Sequence, residues 1–338
     1  MKKISIIIPV KNEERYIAAC LESVLNNDYP KELMEIFIVD GLSNDMTIDI
    51  IKRYLTQYNN IKLLSNNNET VPYALNMAIK KSSGEYIIRL DAHTSIPRNY
   101  FSELIKLSEE FNADDIGTCC ITDIKNSNSK TNAIKKVLSN KFGVGDSYFR
   151  IGISTPKEVD HVPFGCYKRE IFNKVGLFNQ KLTRNQDIEF SKRIKKSGGR
   201  IILIPNVQST YYARESFFEI YKNNFANGKW NILTVYITKK LSSLSLRHFI
   251  PIIFLLSIII PLIGMIFNPI IGLISLLSLM SYLSLISFIS FKLKDKTTSF
   301  IYIFISFLVL HFSYAFGSLL GLLRSDYLFK EHELFSKI

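Results

Sequence analysis

The chain has 338 residues, 47% of them hydrophobic, with 42 lysines and arginines against 30 acids. That length holds one large domain and a second region, and the formal net charge of +12 points to an anionic partner: phosphate, nucleic acid or a membrane surface. The four cysteines, Cys20, Cys119, Cys120 and Cys166, have no metal-ligand spacing and read as reduced thiols, which excludes a disulfide scaffold.

The opening MKKISIIIPVKNEE has a basic start and a short apolar run. The run is too short for a signal peptide and lacks a small-residue cleavage site, so it predicts a first strand, Ile4–Val10. In RYIAACLESVLNN, Ile17, Leu21, Val24 and Leu25 recur on one helical face. A second strand follows at Ile36–Asp40, then a helix in MTIDIIKRYLTQY. A third strand at Ile61–Leu64 precedes a helix in VPYALNMAIKKS, with Pro72 in its first turn.

The fourth strand, Tyr86–Asp91, ends on a carboxylate, and His93 follows two residues later. Period-two alternation would point both side chains to one side, one oxygen and one nitrogen donor together. The alternative is a helix start, capped by Asp91 or Thr94 with Pro97 in the first turn.

Strand–helix alternation argues for a parallel sheet covered on both faces. Right-handed crossovers favour the order 3-2-1-4. That order brings the ends of strands one, two and four to one crevice, with Lys11, Glu13, Asp40, Asp91 and His93 around it. A metal on Asp91 and His93 would bind a nucleotide diphosphate there and offset the charge that grows as it leaves.

Composition then changes. Phe249 to Phe291 contains no charge, and neither does Thr297 to Leu323. A membrane helix needs about 20 apolar residues, so the first run supplies two, broken near FNPIIG, and the second supplies a third. The turn near Asn268 lacks Lys and Arg. KKLSSLSLRH precedes the first span, and Lys292, Lys294 and Lys296 follow the second. The positive-inside rule puts the N-terminal domain and the 292–296 loop in the cytoplasm. Three spans then put the tail, with Arg324, Lys330 and Lys337, outside.

SIIIPVKNEERYIAACLESVL, VDGLSNDMT, GEYIIRLDAH and VPFGCYKREIFNKVGLFNQKLTRNQDIEFSKRIKKSGGRI resemble the family 2 glycosyltransferases, over residues 1–230. The combination of RLDAH, FGVGDSYFR, VDHVPFG and RNQD is similar to the succinoglycan-type glucosyltransferases of bacterial exopolysaccharide synthesis. The resemblance implies an α/β, Rossmann-like GT-A domain followed by transmembrane helices. The division expected is a catalytic domain at 1–210, an amphipathic interfacial segment at 211–248, three membrane helices in 249–323 and a tail at 324–338. It further implies an inverting transfer of one sugar from a UDP-sugar, such as UDP-glucose, to a polyprenyl-diphosphate-linked saccharide. The cofactor would be Mn²⁺ or Mg²⁺, the partners would include the membrane and no nucleic acid, and the place would be a bacterial cell membrane with the catalytic domain in the cytoplasm.

Residue by residue, the resemblance has Pro9, Lys11 and Glu13 lining the nucleotide site and Asp40 bonding the uracil. Asp91 would lie at the ribose and diphosphate. His93 would replace the second acid of the usual Asp-X-Asp, and imidazole suits Mn²⁺ better than Mg²⁺. Asp187 matches the catalytic base, which takes the acceptor hydroxyl's proton as that oxygen attacks the anomeric carbon; a role at the helix start is compatible with this. Glu189 is the rival base, two residues on and facing away in a helix. His161 reads as a buried, hydrogen-bonded histidine, with a further metal ligand as the alternative.

Trp230 stands where processive synthases carry Gln-X-X-Arg-Trp, but Ala226 and Lys229 depart from that motif. Trp230 then helps form the acceptor site or anchors Phe217–Tyr236 at a membrane surface. The alternatives to single-sugar transfer are a processive synthase-exporter, for which three spans are few, and a non-catalytic sugar-nucleotide-binding subunit, which would not need Asp187. Specificity loops are expected at Asn126–Lys141 and Phe142–Val159.

Overall fold

The computed structural model describes residues 1–324 and Tyr327, so the tail residues Lys330 and Lys337 lie outside the described residues. The elements in chain order are β1 (Ile4–Val10), α1 (Ile17–Leu25), β2 (Met34–Asp40), α2 (Thr47–Leu55), β3 (Ile61–Ser65), α3 (Val71–Lys81), β4 (Tyr86–Arg89), β5 (Thr94–Ser95), α4 (Tyr100–Glu110) and β6 (Asp115–Asp123). There follow α5 (Ser129–Leu138), α6 (Lys141–Val144), α7 (Tyr148–Ile151), β7 (Lys157–Glu158), β8 (Cys166–Lys168), α8 (Arg169–Val175), α9 (Gln186–Lys196) and β9 (Ile201–Tyr212). Four long helices close the chain: α10 (Phe217–Thr238), α11 (Ile250–Gly264), α12 (Pro269–Leu293) and α13 (Phe300–Leu322).

One sheet runs β3-β2-β1-β4-β8-β6-β9-β5, with β7 on β9. β3, β2, β1 and β4 are mutually parallel, in the order the alternation predicts. β8 then enters antiparallel between β4 and β6. β1 is buried on both faces because both are covered. Ile6 and Ile8 pack with Ile17 and Leu21 of α1, while Ile7 packs with Leu75 and Ala78 of α3. A strand with apolar residues at consecutive positions is what a two-sided parallel sheet requires.

The described residues form two compact units. The first is 1–121 with 148–212; the second is 122–147 with the chain from 213 on. Residues 122–147 group with the C-terminal helices and not with the rest of 1–210. The expected loop at 126–141 is largely helix α5. Asn128 caps it, its side chain accepting from the Thr131 backbone N–H at 3.0 Å. Its Ala133, Ile134 and Val137 pack with Ile303, Phe307 and Leu310 of α13. Lys136 Nζ lies 2.6 Å from Asp295 Oδ2 and donates to the Leu293 carbonyl at 2.9 Å, tying α5 to the turn before α13. Three helical stretches, Leu246–Gly264, Pro269–Leu293 and Phe300–Leu322, are long and apolar enough to cross a membrane.

Candidate active site

The crevice is built at the C-terminal ends of β1, β2 and β4. The loops after β1 and β2 are laced together. Ser43 Oγ accepts from the Asn12 N–H at 2.9 Å, and Thr47 Oγ1 accepts from the Glu13 N–H at 2.7 Å. Asp40 supports this lacing: its carboxylate accepts from the Ser43 hydroxyl at 2.6 Å and from the Ser43 N–H at 3.1 Å. It is 6% exposed, and its neighbours Val39 and Gly41 line the crevice.

Pro9, Lys11, Glu13, Asp91 and His93 line it, joined by Gly41, Asn66, Glu69, Thr70 and Arg89. Lys11 is ion-paired with Glu69. Asp91 and His93 reach the crevice for a reason other than strand alternation. β4 stops at Arg89, and Asp91–Thr94 is a turn closed by the Thr94 N–H on the Asp91 carbonyl at 3.0 Å. Ala92 points into the core at 1% exposure. The helix-start alternative fails, since Thr94–Ser95 pairs with β9 and the next helix begins at Tyr100.

Arg89 is the group that sequence reading missed. Its Nε and Nη2 donate to Asp91 Oδ1 at 3.2 and 3.0 Å, and its Nη1 donates to Asp187 Oδ2 at 3.2 Å. One guanidinium fork therefore joins the two carboxylates that the sequence singled out from opposite ends of the domain. An arginine in the otherwise apolar run YIIRL, 11% exposed, is the signal that could have found it. The neighbouring acids outweigh burial and keep Arg89 a cation. Thr70 was also missed: it precedes α3, lines the crevice and has a buried hydroxyl oxygen without a hydrogen-bond partner.

Asp187 sits in the first turn of α9, after Asn185, which holds a left-handed φ of 61°, a conformation asparagine tolerates. Burial pushes the Asp187 carboxyl up, but His161, Arg89 and backbone N–H groups outweigh it and hold it below the usual carboxylate range. Glu189 turns away, as the helical spacing predicts, and accepts from Arg193 Nε and Nη2, both at 2.9 Å. His161 is 8% exposed, with Nδ1 3.0 Å from Ser191 Oγ. That is the buried, hydrogen-bonded state expected of it.

Among the described residues, no three His, Cys, Asp or Glu side chains gather as a metal cage. Asp91 and His93 offer one oxygen and one nitrogen donor, 28% and 31% exposed on the crevice wall. Glu13 Oε1 stands 3.2 Å from His93 Nδ1, the carboxylate–imidazole contact that orients a ligand ring. This donor set fits a divalent ion that keeps its other positions for water and substrate phosphate oxygens.

Residues 5–176 match the Glycosyl transferase family 2. The chain is 32% identical over 236 residues to the dolichyl N-acetyl-α-D-glucosaminyl phosphate 3-β-D-2,3-diacetamido-2,3-dideoxy-β-D-glucuronosyltransferase of Methanococcus voltae, covering 68% of this chain and 72% of that one. It is 27% identical over 226 residues to the succinoglycan biosynthesis protein ExoA of Rhizobium meliloti, covering 66% and 67%. In fold it is similar to a mannosyltransferase of Pyrobaculum calidifontis solved with GDP-mannose and Mn²⁺, with a TM-score of 0.61 at 14% identity over 95% of this chain and 87% of that one. The α/β domain is thus of the GT-A type, with apolar helices after it.

Proposed function

The chain belongs to the family 2 glycosyltransferases, and from that premise we propose that it is a membrane-bound inverting enzyme that moves one sugar from a UDP-sugar to a polyprenyl-linked saccharide. The observation that carries the reading is the Arg89 bridge, which joins a donor-side carboxylate, Asp91, to an acceptor-side carboxylate, Asp187. The lipid-linked acceptor is supported by the archaeal relative, whose name gives a dolichyl-phosphate-linked substrate. The membrane is supported by the three long apolar helices.

In this reading the nucleotide lies in the crevice over Pro9 and Lys11, with its diphosphate toward Asp91 and His93. Those two residues would hold a divalent ion, Mn²⁺ or Mg²⁺, which supplies positive charge to the leaving diphosphate. Asp187 accepts the acceptor hydroxyl's proton while that oxygen bonds to the anomeric carbon from the face opposite the diphosphate. Arg89 orients Asp187 and keeps it ionised between turnovers. Asp40 acts through the loop it braces.

Asp187→Asn tests the assignment. Transfer to a lipid-linked saccharide should fall about 10²–10⁴-fold, the usual contribution of a general base, while calorimetry with UDP and Mn²⁺ should show nearly unchanged binding. A near-normal rate in this variant, with Glu189→Gln inactive, would move the base to Glu189. A calorimetric panel of UDP-, GDP- and dTDP-sugars identifies the donor; a GDP-sugar winning it would replace UDP in this reading.

A further inference from the structure

His161 lies against the carboxylate that the reaction protonates, and its surroundings specify more than a satisfied core histidine. Its Nδ1 is 3.0 Å from Ser191 Oγ, and its Nε2 is 3.9 Å from Asp187 Oδ2. Ser191 is wholly buried and one helical turn after Asp187 on α9, so a single rigid element sets both groups on the ring. A helical serine commonly bonds back to the carbonyl four residues earlier; this hydroxyl reaches the imidazole instead. Phe149 stands edge-on to the ring, at 6.2 Å and 90°, and limits its rotation.

We propose that His161 is a positioning residue for Asp187, held by Ser191 as the tautomer that carries its proton on Nε2. The Ser191 hydroxyl donates to Nδ1, so the ring proton faces the carboxylate. The inference rests on reading Asp187 as the base. During transfer the acceptor O–H bond breaks and its proton goes to Asp187. The hydroxyl oxygen bonds to the anomeric carbon, and the diphosphate leaves with the electron pair of the broken C–O bond. His161 takes no proton in that step, because its Nε2 already carries one. It orients the carboxylate together with Arg89, both groups reaching the same oxygen, Asp187 Oδ2. The 3.9 Å gap is of the kind that tightens when substrate is bound.

Other charged and titratable groups face this pair. Arg89 reaches Asp187 from β4, with Asp91 beyond it. Asp115 on β6 and Tyr167 on β8 lie close enough for the Asp187 charge to push both of them up. Asp160, next to His161 in the chain, lies 3.8 Å from Lys192 of α9. Asp187 is an ion-pair partner of the imidazole itself, through Oδ2 at 3.9 Å.

The test is nitrogen NMR of the full chain in detergent, with ¹⁵N-histidine as the only label. The chain has five histidines, and the signal lost in His161→Gln identifies the residue. The expected signal has a protonated Nε2 and a bare Nδ1. Ser191→Ala should convert it to a mixture of tautomers. Asp187→Asn should lower the ring's titration midpoint by about one pH unit, a tenfold loss of proton affinity, because an adjacent anion favours the imidazolium. A protonated Nδ1, or a midpoint indifferent to Asp187→Asn, overturns the proposal. The parent spectrum alone decides the tautomer if a variant fails to fold. The spectra need no turnover, so an Asp187→Asn enzyme that remained active would sink the base assignment while leaving this pairing to be judged separately.

Discussion

Arg89 is the residue that ties the two carboxylates of the crevice together. Arg89→Lys keeps the charge but replaces a planar fork, which makes three hydrogen bonds to two carboxylates, by one ammonium that cannot span them. Turnover should fall about 10–100-fold, the usual effect of removing a group that orients others. UDP binding in calorimetry should weaken as well, because Asp91 loses its brace. Loss of turnover with unchanged UDP affinity would show that Arg89 serves Asp187 alone. Asp115 behaves differently. It is wholly buried, neither oxygen has a hydrogen-bond partner, and burial, then Asp114 and Asp187, push its carboxyl well above the ordinary range. The folded state therefore keeps a proton that the unfolded chain releases above about pH 4. Stability contributed at this site declines as pH rises from there toward the folded midpoint. In Asp115→Asn that decline disappears, so the stability difference between variant and parent should change in the variant's favour by about 1.4 kcal/mol per pH unit across that window. Parallel pH–stability curves in denaturant would mean that Asp115 is ionised in place.

At the scale of the element, the closest packing in the second unit is between α10 and α13. A Cβ added to Gly317 would come within 1.9 Å of the Phe225 carbonyl oxygen, and one added to Gly228 within 1.9 Å of the Tyr314 carbonyl oxygen. Backbone cannot yield there as a side chain can, so Gly317→Ala must push the helices apart, an overpacking cost of about 1–3 kcal/mol. Small residues that let helices approach are the usual device of membrane interfaces. Gly272→Ala is the matched control, since its added Cβ meets the flexible Met265 side chain. Thermal unfolding in detergent should show a clear drop for the first and little for the second; equal drops would refute the packing account. The elements of the parallel half are also the legible ones. β1 to β4 and α1 to α3 follow their periodicities because each has enough residues for a period to repeat, and the strand order follows from their alternation. β5 and β7 have two residues and β8 three, too few for alternation to register, so the strands that pair with the longer β6 and β9 in the antiparallel half are not readable. α5 lies behind the Asn- and Ser-rich stretch NSNSKTN, which reads as loop; its apolar stripe serves helices more than 150 residues later. In the site, Lys11, Glu13, Asp91 and His93 were recoverable because strand ends mark a crevice. The Arg89 bridge depends on where α9 returns in space, which no local pattern states.

For the whole molecule, the charge is not spread as the total suggests. Residues 122–147 and 213–324 carry fifteen lysines and arginines against five acids, so most of the +12 belongs to the unit with the apolar helices rather than to the crevice. That suits an anionic membrane surface, worth about 1 kcal/mol per basic residue near it. It also decides how the catalytic unit can be isolated. Cutting after Asn206 divides β9, which runs to Tyr212 and pairs Thr210 and Tyr211 with β5. It also leaves Ala133, Ile134 and Val137 of α5 without the α13 residues they pack on. A fragment of residues 1–206 should therefore aggregate. A fragment ending at Tyr212, with 124–146 replaced by a flexible glycine–serine linker, removes the orphaned stripe and keeps the sheet whole. It should elute as a single soluble species and bind UDP in calorimetry, because every crevice residue lies in the first unit. It should not transfer sugar to a lipid-linked acceptor. If the 1–206 fragment is monodisperse and binds UDP equally well, α5 does not depend on the helices, and the division into two units is not a division in folding.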